Sequence, residues 1–475
     1  MIPNPTPTKE KIGLVRGLSG WAATAIVVGT MIGTGIFIVP ADMARETGSA
    51  VLVAVVWVAA GALSLFGALS AAELGAMLPE AGGTYAYMNR SFGPASGFLF
   101  GWAYSLVGAP YSIATLAAGF MRFASFLFPA VATPLFVWHF NLPFVRHPYS
   151  FTFTWAQPAA VLAIAVVTFI NCLGVRLGGH VQVTLTIIKI AAICVVIAIG
   201  FFLGHPTTAN FHLSAGSGLT TAGLSGFLTA MVAAMWAYDG WINLTFVGSE
   251  IQNPGRNIPL SLIGGVILVG GLYIAMSAAC FLILPFSKVI VSGVVASDMI
   301  ARATGMNAAN WLTIAMMICA LGALNSSILT NARVDYALAR DGLFFRIVRG
   351  VSPRFHTPVR ALIFQAILAS LMALTGTFED LFSLYIFTVV IFYGLQTYGV
   401  IRLRAKEPNL ARPYRTWGYP VLPIIFILGA IALTVNTGIQ RPVASGVALC
   451  VMFAGLIFYR HWRNRLPEAN SVADQ

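Results

Sequence analysis

From Leu18 onward the chain alternates long apolar runs with short polar stretches. A helix that crosses the hydrocarbon core of a bilayer needs about 20 mostly apolar residues. Runs of that kind fall at 18–41, 48–77, 94–127, 157–174, 180–203, 220–250, 260–285, 308–336, 359–376, 380–402, 418–437 and 442–461. The pattern predicts an all-α membrane protein with twelve transmembrane helices. Residues 1–17 and 463–475 read as polar tails, 18–203 and 204–402 as two blocks of five helices, and 403–462 as a loop with helices 11 and 12.

Composition agrees. Of 475 residues, 58% are hydrophobic and 9% charged, where soluble domains carry about 25% charged residues. A soluble core this apolar would leave too little polar surface to face water. The 46 glycines suit a bilayer, where small residues let helices approach closely. The first apolar run continues past signal-peptide length without a small-residue cleavage site, so it reads as an anchor. Cys172, Cys194, Cys280, Cys319 and Cys450 sit at irregular spacing in apolar stretches, with neither metal-type pairs nor a disulfide framework.

The formal charge of +12 would suit nucleic acid, but its distribution points elsewhere. With the N-terminus placed in the cytoplasm and the spans alternating, twenty of the 27 lysines and arginines fall on the cytoplasmic side and six on the other. That is the positive-inside pattern of a membrane protein with both termini in the cytoplasm. The seven histidines lie in loops or at span ends with no H-E-x-x-H or similar cluster, and no phosphate-binding G-x-x-x-x-G-K-[ST] motif occurs. A metalloenzyme, an ATP-driven pump and a nucleic-acid binder are each without support, and no cofactor is implied.

Two spans are interrupted. The first contains Gly29-Thr30-Met31-Ile32-Gly33-Thr34-Gly35-Ile36-Phe37, and glycine costs roughly 1 kcal/mol per residue in a helix interior. Three within seven residues invite unwinding, which a bilayer tolerates only where backbone lines a cavity or is buried in protein. The same spacing also suits a close helix contact. The sixth span carries Asp239-Gly240 between apolar neighbours, a strong turn signal. Interrupted helices at corresponding places in two repeats point to a transporter site, and five helices per repeat invert the second relative to the first. Half-helix N-termini offer N–H groups and positive potential to a carboxylate, while half-helix C-termini offer carbonyls to an ammonium. The combination suits a zwitterion.

Lys189 falls roughly nine residues into the fifth span, about 13 Å along the helix, near the midplane. A lysine there costs about 2.5–3.5 kcal/mol on insertion scales, so it calls for a function: bridging carbonyls of the broken first span to hydroxyls elsewhere, replacing a bound cation, or titrating as desolvation disfavours its charge. Asp239 reads as a cap for the second half of its helix or as a contact for substrate or a proton. Glu250 reads as one half of a cytoplasmic-side structural pair, and Glu73 and Arg122 as ordinary span-end charges.

These residues resemble the amino acid–polyamine–organocation (APC) superfamily, most closely bacterial relatives of its L-type amino acid transporter (LAT) branch. The resemblance rests on the 29–37 motif, PEAGGTYAY at 79–87, INCLGVR at 170–176, the block 236–259 and NSSILTNAR at 325–333, in order over most of the chain. It implies a LeuT-like fold of five plus five inverted helices with two extra C-terminal helices, alternating access, and mostly sodium-independent exchange. By motif position, the backbone N–H groups of Thr34 and Gly35 would receive the substrate carboxylate and carbonyls near Met31, Trp236 and Asp239 its amine, with Gly33 and Ala237 also among the substrate-binding residues. Trp236 matches an aromatic that closes over substrate from outside. Lys189 matches a fifth-helix lysine standing where sodium binds in coupled relatives, with Ser327 as its eighth-helix partner.

Two positions depart from the LAT pattern. Asp239 stands where animal members often have glycine, and Trp236 is larger than the usual phenylalanine. No cysteine lies between residues 128 and 156, where animal members bond a heavy subunit, so no disulfide-linked partner is expected and the chain looks bacterial. The resulting expectation is a sodium-independent secondary transporter of L-amino acids, neutral ones foremost, working as an exchanger or by proton-assisted uptake in the bacterial inner membrane. Its partners would be the amino acid and the lipid bilayer. The alternatives are a cationic amino acid or polyamine transporter, or a membrane-embedded enzyme subunit, which would need a catalytic cluster that the spans lack.

Overall fold

The structure, a computed structural model, describes residues 16–140, 149–208, 223–375 and 378–464. Most of both tails, the opening residues of the sixth apolar run, and Arg146, His147 and His212 lie outside the described residues.

Helix α1 (Gly20–Met31) starts where extended Ser19 accepts a hydrogen bond from the Ala22 N–H at 3.3 Å. It stops at Ile32, and α2 (Gly35–Thr47) resumes after Thr34 and ends on Gly48 at φ 65°. α3 (Ala50–Met77) follows, capped by Ser49, and the short α4 (Thr84–Phe92) comes after a tight turn in which Gly82 and Gly83 both adopt positive φ. Next come α5 (Pro94–Ala103), a π-helical turn at Tyr104–Gly108 and α6 (Ala109–Leu127), in unbroken succession.

An antiparallel hairpin then departs from the purely helical expectation. β1 (Pro134–Phe140) pairs with β2 (Tyr149–Thr154), with Trp138 opposite Phe151. Val137, Trp138, Phe151 and Phe153 are of the β-branched and aromatic kinds that favour strands, although the apolar pattern predicts a loop between spans here. Helices α7 (Ala156–Cys172) and α8 (Val175–Phe202) complete the first half.

In the second half, α9 (Gly223–Tyr238) is followed by only one further helical turn, α10 (Asn243–Phe246), and a 3₁₀ turn at Gly248–Glu250. The apolar pattern predicts helix to about residue 250. The chain leaves the helix because Val247 bridges to Ala81 and Ile251 to Leu18, pairing backbone groups across to other segments. The remaining helices are α11 (Pro254–Ile283), α12 (Phe286–Val289), α13 (Val295–Thr304), α14 (Met306–Arg340), α15 (Val359–Thr375), α16 (Phe378–Lys406), α17 (Val421–Gln440) and α18 (Pro442–Arg463).

Among the described residues, eight helical stretches are long and apolar enough to cross a membrane, counting α1 and α2 together as Gly20–Thr47. Three shorter apolar helices, α7, α9 and α15, accompany them. At the centre, α14 packs against α1, α6, α8 and α15, while α3 lies along α11 and α2 along α9. Two ionic knots tie the ends together. Arg404 grips Glu73 through Nε (2.9 Å) and Nη2 (2.6 Å), and the Thr416 N–H donates to the same carboxylate at 2.7 Å. Glu250 pairs with Arg333 at 3.1 Å, both buried. That pairing matches the structural role read for Glu250 from the sequence.

Candidate functional site

The two interruptions meet. Thr30, Met31, Gly33, Thr34 and Gly35 from the first, Trp236, Asp239, Gly240 and Asn243 from the second, and Ser112 and Leu116 of α6 line one cavity of about 20 Å³. That is room for about one water, so the breaks are drawn together here. Gly240 makes the approach possible: at φ +106° any other residue is strained, and a Cβ would stand 2.8 Å from the Thr30 methyl and 3.0 Å from its carbonyl carbon. Gly35 does the same on the other side, where a Cβ would lie 2.7 Å from Ala237 Cα. Ala237 therefore serves as the packing surface for Gly35 and is not among the cavity-lining residues.

The cavity has opposite electrical ends. Thr34 precedes α2 without a side-chain hydrogen bond to its leading N–H groups, and the buried Thr34 Oγ1 and Asn243 Oδ1 have no hydrogen-bond partner. An uncapped helix N-terminus with such neighbours is suited to an anion. The C-terminal ends of α1 and α9 bring carbonyl groups and negative potential to the same space. One of these acceptors is engaged already, since the Tyr273 hydroxyl donates to the Met31 carbonyl at 2.6 Å.

Asp239 does not cap α10, whose cap position is Ile242, which has no side-chain hydrogen bond to offer. Instead its carboxylate accepts from Tyr385 (2.6 Å) and Tyr393 (3.0 Å) on α16. Trp236 packs edge-on against Tyr385, with centroids 5.4 Å apart, and stacks on Phe382. The aromatic wall and the aspartate are thus held by one helix.

α8 lays a polar stripe against α1. Gln182, Thr186 and Lys189 follow at i, i+4 and i+7, one face of a helix. Gln182 and Thr186 both donate to the Ala25 carbonyl, Thr186 at 3.1 Å. The fully buried Lys189 Nζ donates to the carbonyls of Gly29 (2.7 Å) and Ile32 (3.0 Å). These carbonyls sit where α1 ends, so the ammonium holds the negative end of the half-helix. Gly322 of α14 closes over the lysine, since a Cβ there would stand 2.7 Å from Lys189 Cε. Ser327 has other partners: its hydroxyl bonds Ser112 (3.3 Å) and accepts from Asn331 Nδ2 (2.9 Å). It lies five residues, about 7.5 Å of helix rise, beyond the glycine that touches the lysine.

Sequence reasoning missed Tyr273, Tyr385, Tyr393, Ser112 and Asn243. Only Asn243 carried a signal, standing three residues after the Asp-Gly pair. Among the described residues no three His, Cys, Asp or Glu side chains cluster as metal ligands.

Comparison with known proteins places this geometry in context. A family model described as "Amino acid permease" matches residues 18–459. The human b(0,+)-type amino acid transporter 1 is 31% identical over 462 residues, covering 96% of this chain and 88% of that protein. The serine/threonine exchanger SteT of Bacillus subtilis (strain 168) is 29% identical, covering 96% and 98%. The human large neutral amino acids transporter small subunit 2 is 30% identical, covering 95% and 80%.

Proposed function

The chain belongs to the amino acid permease family, and from that membership and the paired helix breaks we propose that it is a sodium-independent carrier of neutral L-amino acids. It is a multi-pass membrane transporter, not an enzyme. Its relatives include a protein named as an exchanger, which supports obligate or preferred exchange by alternating access.

In this reading the apolar runs form twelve spans in a LeuT-like arrangement, two inverted blocks at 18–203 and 204–402 followed by two further helices. Both tails face the cytoplasm of a bacterial cell, and no disulfide-linked subunit is needed. The substrate carboxylate takes the N–H groups of Thr34 and Gly35 at the head of α2, beside Gly33. The ammonium takes carbonyls at the ends of α1 and α9, near Met31, Trp236 and Asp239. Tyr385 and Tyr393 occupy both oxygens of Asp239, which leaves that carboxylate poorly placed for a cationic side chain and favours neutral substrates. Trp236 forms one gate. The other is built from the Leu18–Ile251 bridge and the Glu250–Arg333 pair, which surround a second small cavity beneath α1 with Gln182 and Leu329. An amino acid enters when one gate parts and leaves when the other does.

The observation that carries this reading is Lys189. Its ammonium sits on two carbonyls of the interrupted α1, a fixed positive charge where a coupled carrier would place a metal cation. Uptake into amino-acid-loaded proteoliposomes, with external sodium replaced by choline, tests it. Rates within about twofold in the two media are expected, and strict dependence on sodium would overturn the role given to Lys189.

A further inference from the structure

The mechanism so far leaves one buried acid unused. Asp335 on α14 is fully buried, as are Ser105 of the π-helical turn and Gln365 of α15. Ser105 and Gln365 face the Asp335 carboxylate, yet none of the polar side-chain atoms of the three reaches hydrogen-bonding geometry. The charged residues on surrounding elements do not compensate it. Arg333 pairs with Glu250 and Arg340 with Asp341, and Arg346, Arg349 and Arg360 make no ion pair with Asp335 among the described residues. A carboxylate with no opposite charge beside it costs several kcal/mol in such surroundings. One proton removes the charge and adds an O–H donor for Gln365 Oε1 or Ser105 Oγ.

A polar chain leads from the substrate cavity toward this acid. Ser112 lines the cavity and its hydroxyl lies 3.3 Å from that of Ser327. Asn331 Nδ2 donates to Ser327 at 2.9 Å, and the Tyr104 hydroxyl donates to Asn331 Oδ1 at 2.9 Å. Asn331 and Asp335 are i and i+4 on α14, hence on one face. Tyr104 is bonded in sequence to Ser105, inside a π-helical turn, a departure from α geometry that is frequent at functional sites. The Tyr104 hydroxyl also lies within electrostatic reach of both Asp335 and Asp239, the second of which lines the cavity. Among the described residues, the titratable groups that reach Tyr104 or Asp239 here include Tyr385 and Tyr393.

We propose that Asp335 is a proton-binding site whose protonation is coupled to substrate occupancy through Ser112, Ser327, Asn331 and Tyr104. The step adds one proton from solution to the carboxylate, giving a neutral carboxyl group, and returns it on release. The chain transmits reorientation of hydrogen bonds and not the proton itself, since an amide does not relay protons. The coupling rests on the transporter reading above, whereas the proton site does not.

Two measurements separate them. Infrared difference spectra of the purified protein between acid and alkaline buffer, without substrate, should show a protonated-carboxyl band that vanishes in Asp335→Asn, persists in Asp239→Asn and shifts in Asp335→Glu. A spectrum of Asp335→Asn identical to wild type overturns the site. In proteoliposomes, the apparent affinity for a neutral amino acid should change about fivefold or more between the two buffers, a typical coupling, and become flat in Asp335→Asn. Unchanged pH dependence in that variant overturns the coupling. If the infrared band behaves as stated but no amino acid exchanges at any pH, the transporter reading fails and the proton site stands. A response to sodium or potassium in place of protons would also overturn the proposal.

Discussion

Replacing Lys189 with methionine keeps most of the side-chain volume and removes only the ammonium. The structure gives that group two hydrogen bonds, to the carbonyls of Gly29 and Ile32. A hydrogen bond to a charged group contributes about 1.5–3 kcal/mol. Stability will change less than these bonds suggest, because burial of the ammonium carries a desolvation cost that the substitution also removes. Function is more sensitive. If both bonds form only when α1 is drawn onto α8, their loss disfavours that state by about 3 kcal/mol at the low end, and loss of one bond by about half as much. The expected fall in exchange rate is therefore about 100-fold or more, and about tenfold if only one of the two bonds is specific to that state. The assay is the initial rate of labelled amino acid counterflow in proteoliposomes, with thermal unfolding followed in parallel. A folded variant with a rate within twofold of wild type would refute the assignment.

Three further outcomes follow from the same contacts. Gly322→Ala pushes a methyl group toward Lys189 Cε. The flexible lysine should yield with little loss of stability while its ammonium leaves the carbonyls, so counterflow should fall about tenfold with melting nearly unchanged. Gly35→Ala meets the backbone of Ala237, which cannot yield as a side chain does. It should abolish exchange and cost about 1–3 kcal/mol, as overpacked cores do, read as a lowered melting temperature and absent counterflow. Glu250→Gln leaves the buried Arg333 guanidinium without its counter-charge, a change that costs about 3–5 kcal/mol. The double variant Glu250→Gln with Arg333→Met should recover part of that loss in thermal unfolding.

The parts of the site visible in the sequence are those written in backbone chemistry. Gly33-Thr34-Gly35 and Asp239-Gly240 are local departures from helix-forming residues, and a buried lysine within an apolar run stands out wherever it occurs. What could not be read is side-chain pairing across distant segments. Tyr385 and Tyr393 reach Asp239 from 146 and 154 residues away, and their sequence positions look like ordinary interior aromatics. Hence Asp239, for which the sequence offers a cap or a contact for substrate or a proton, is held by hydroxyl groups. Ser327 was matched to Lys189 by motif position, but the facing of α14 puts Gly322 against the lysine and turns Ser327 toward Ser112. Helix facing is a matter of rotation, which an apolar run long enough to be buried all round does not reveal. The β1–β2 hairpin was hidden for another reason: its short strands lie between helical spans and carry no repeat of their own.

The claim that the two breaks together bind a zwitterion can be tested by asking which half of the ligand is needed. Counterflow of a labelled neutral L-amino acid is measured against the same amino acid unlabelled, its amide and its α-hydroxy acid. Strong competition by the amino acid, with at least tenfold weaker competition by both analogues, about 1.4 kcal/mol for each missing charge, is the expected result. Equal competition by either analogue would contradict the assignment, because one end of the cavity would then make no use of the charge it is built to receive.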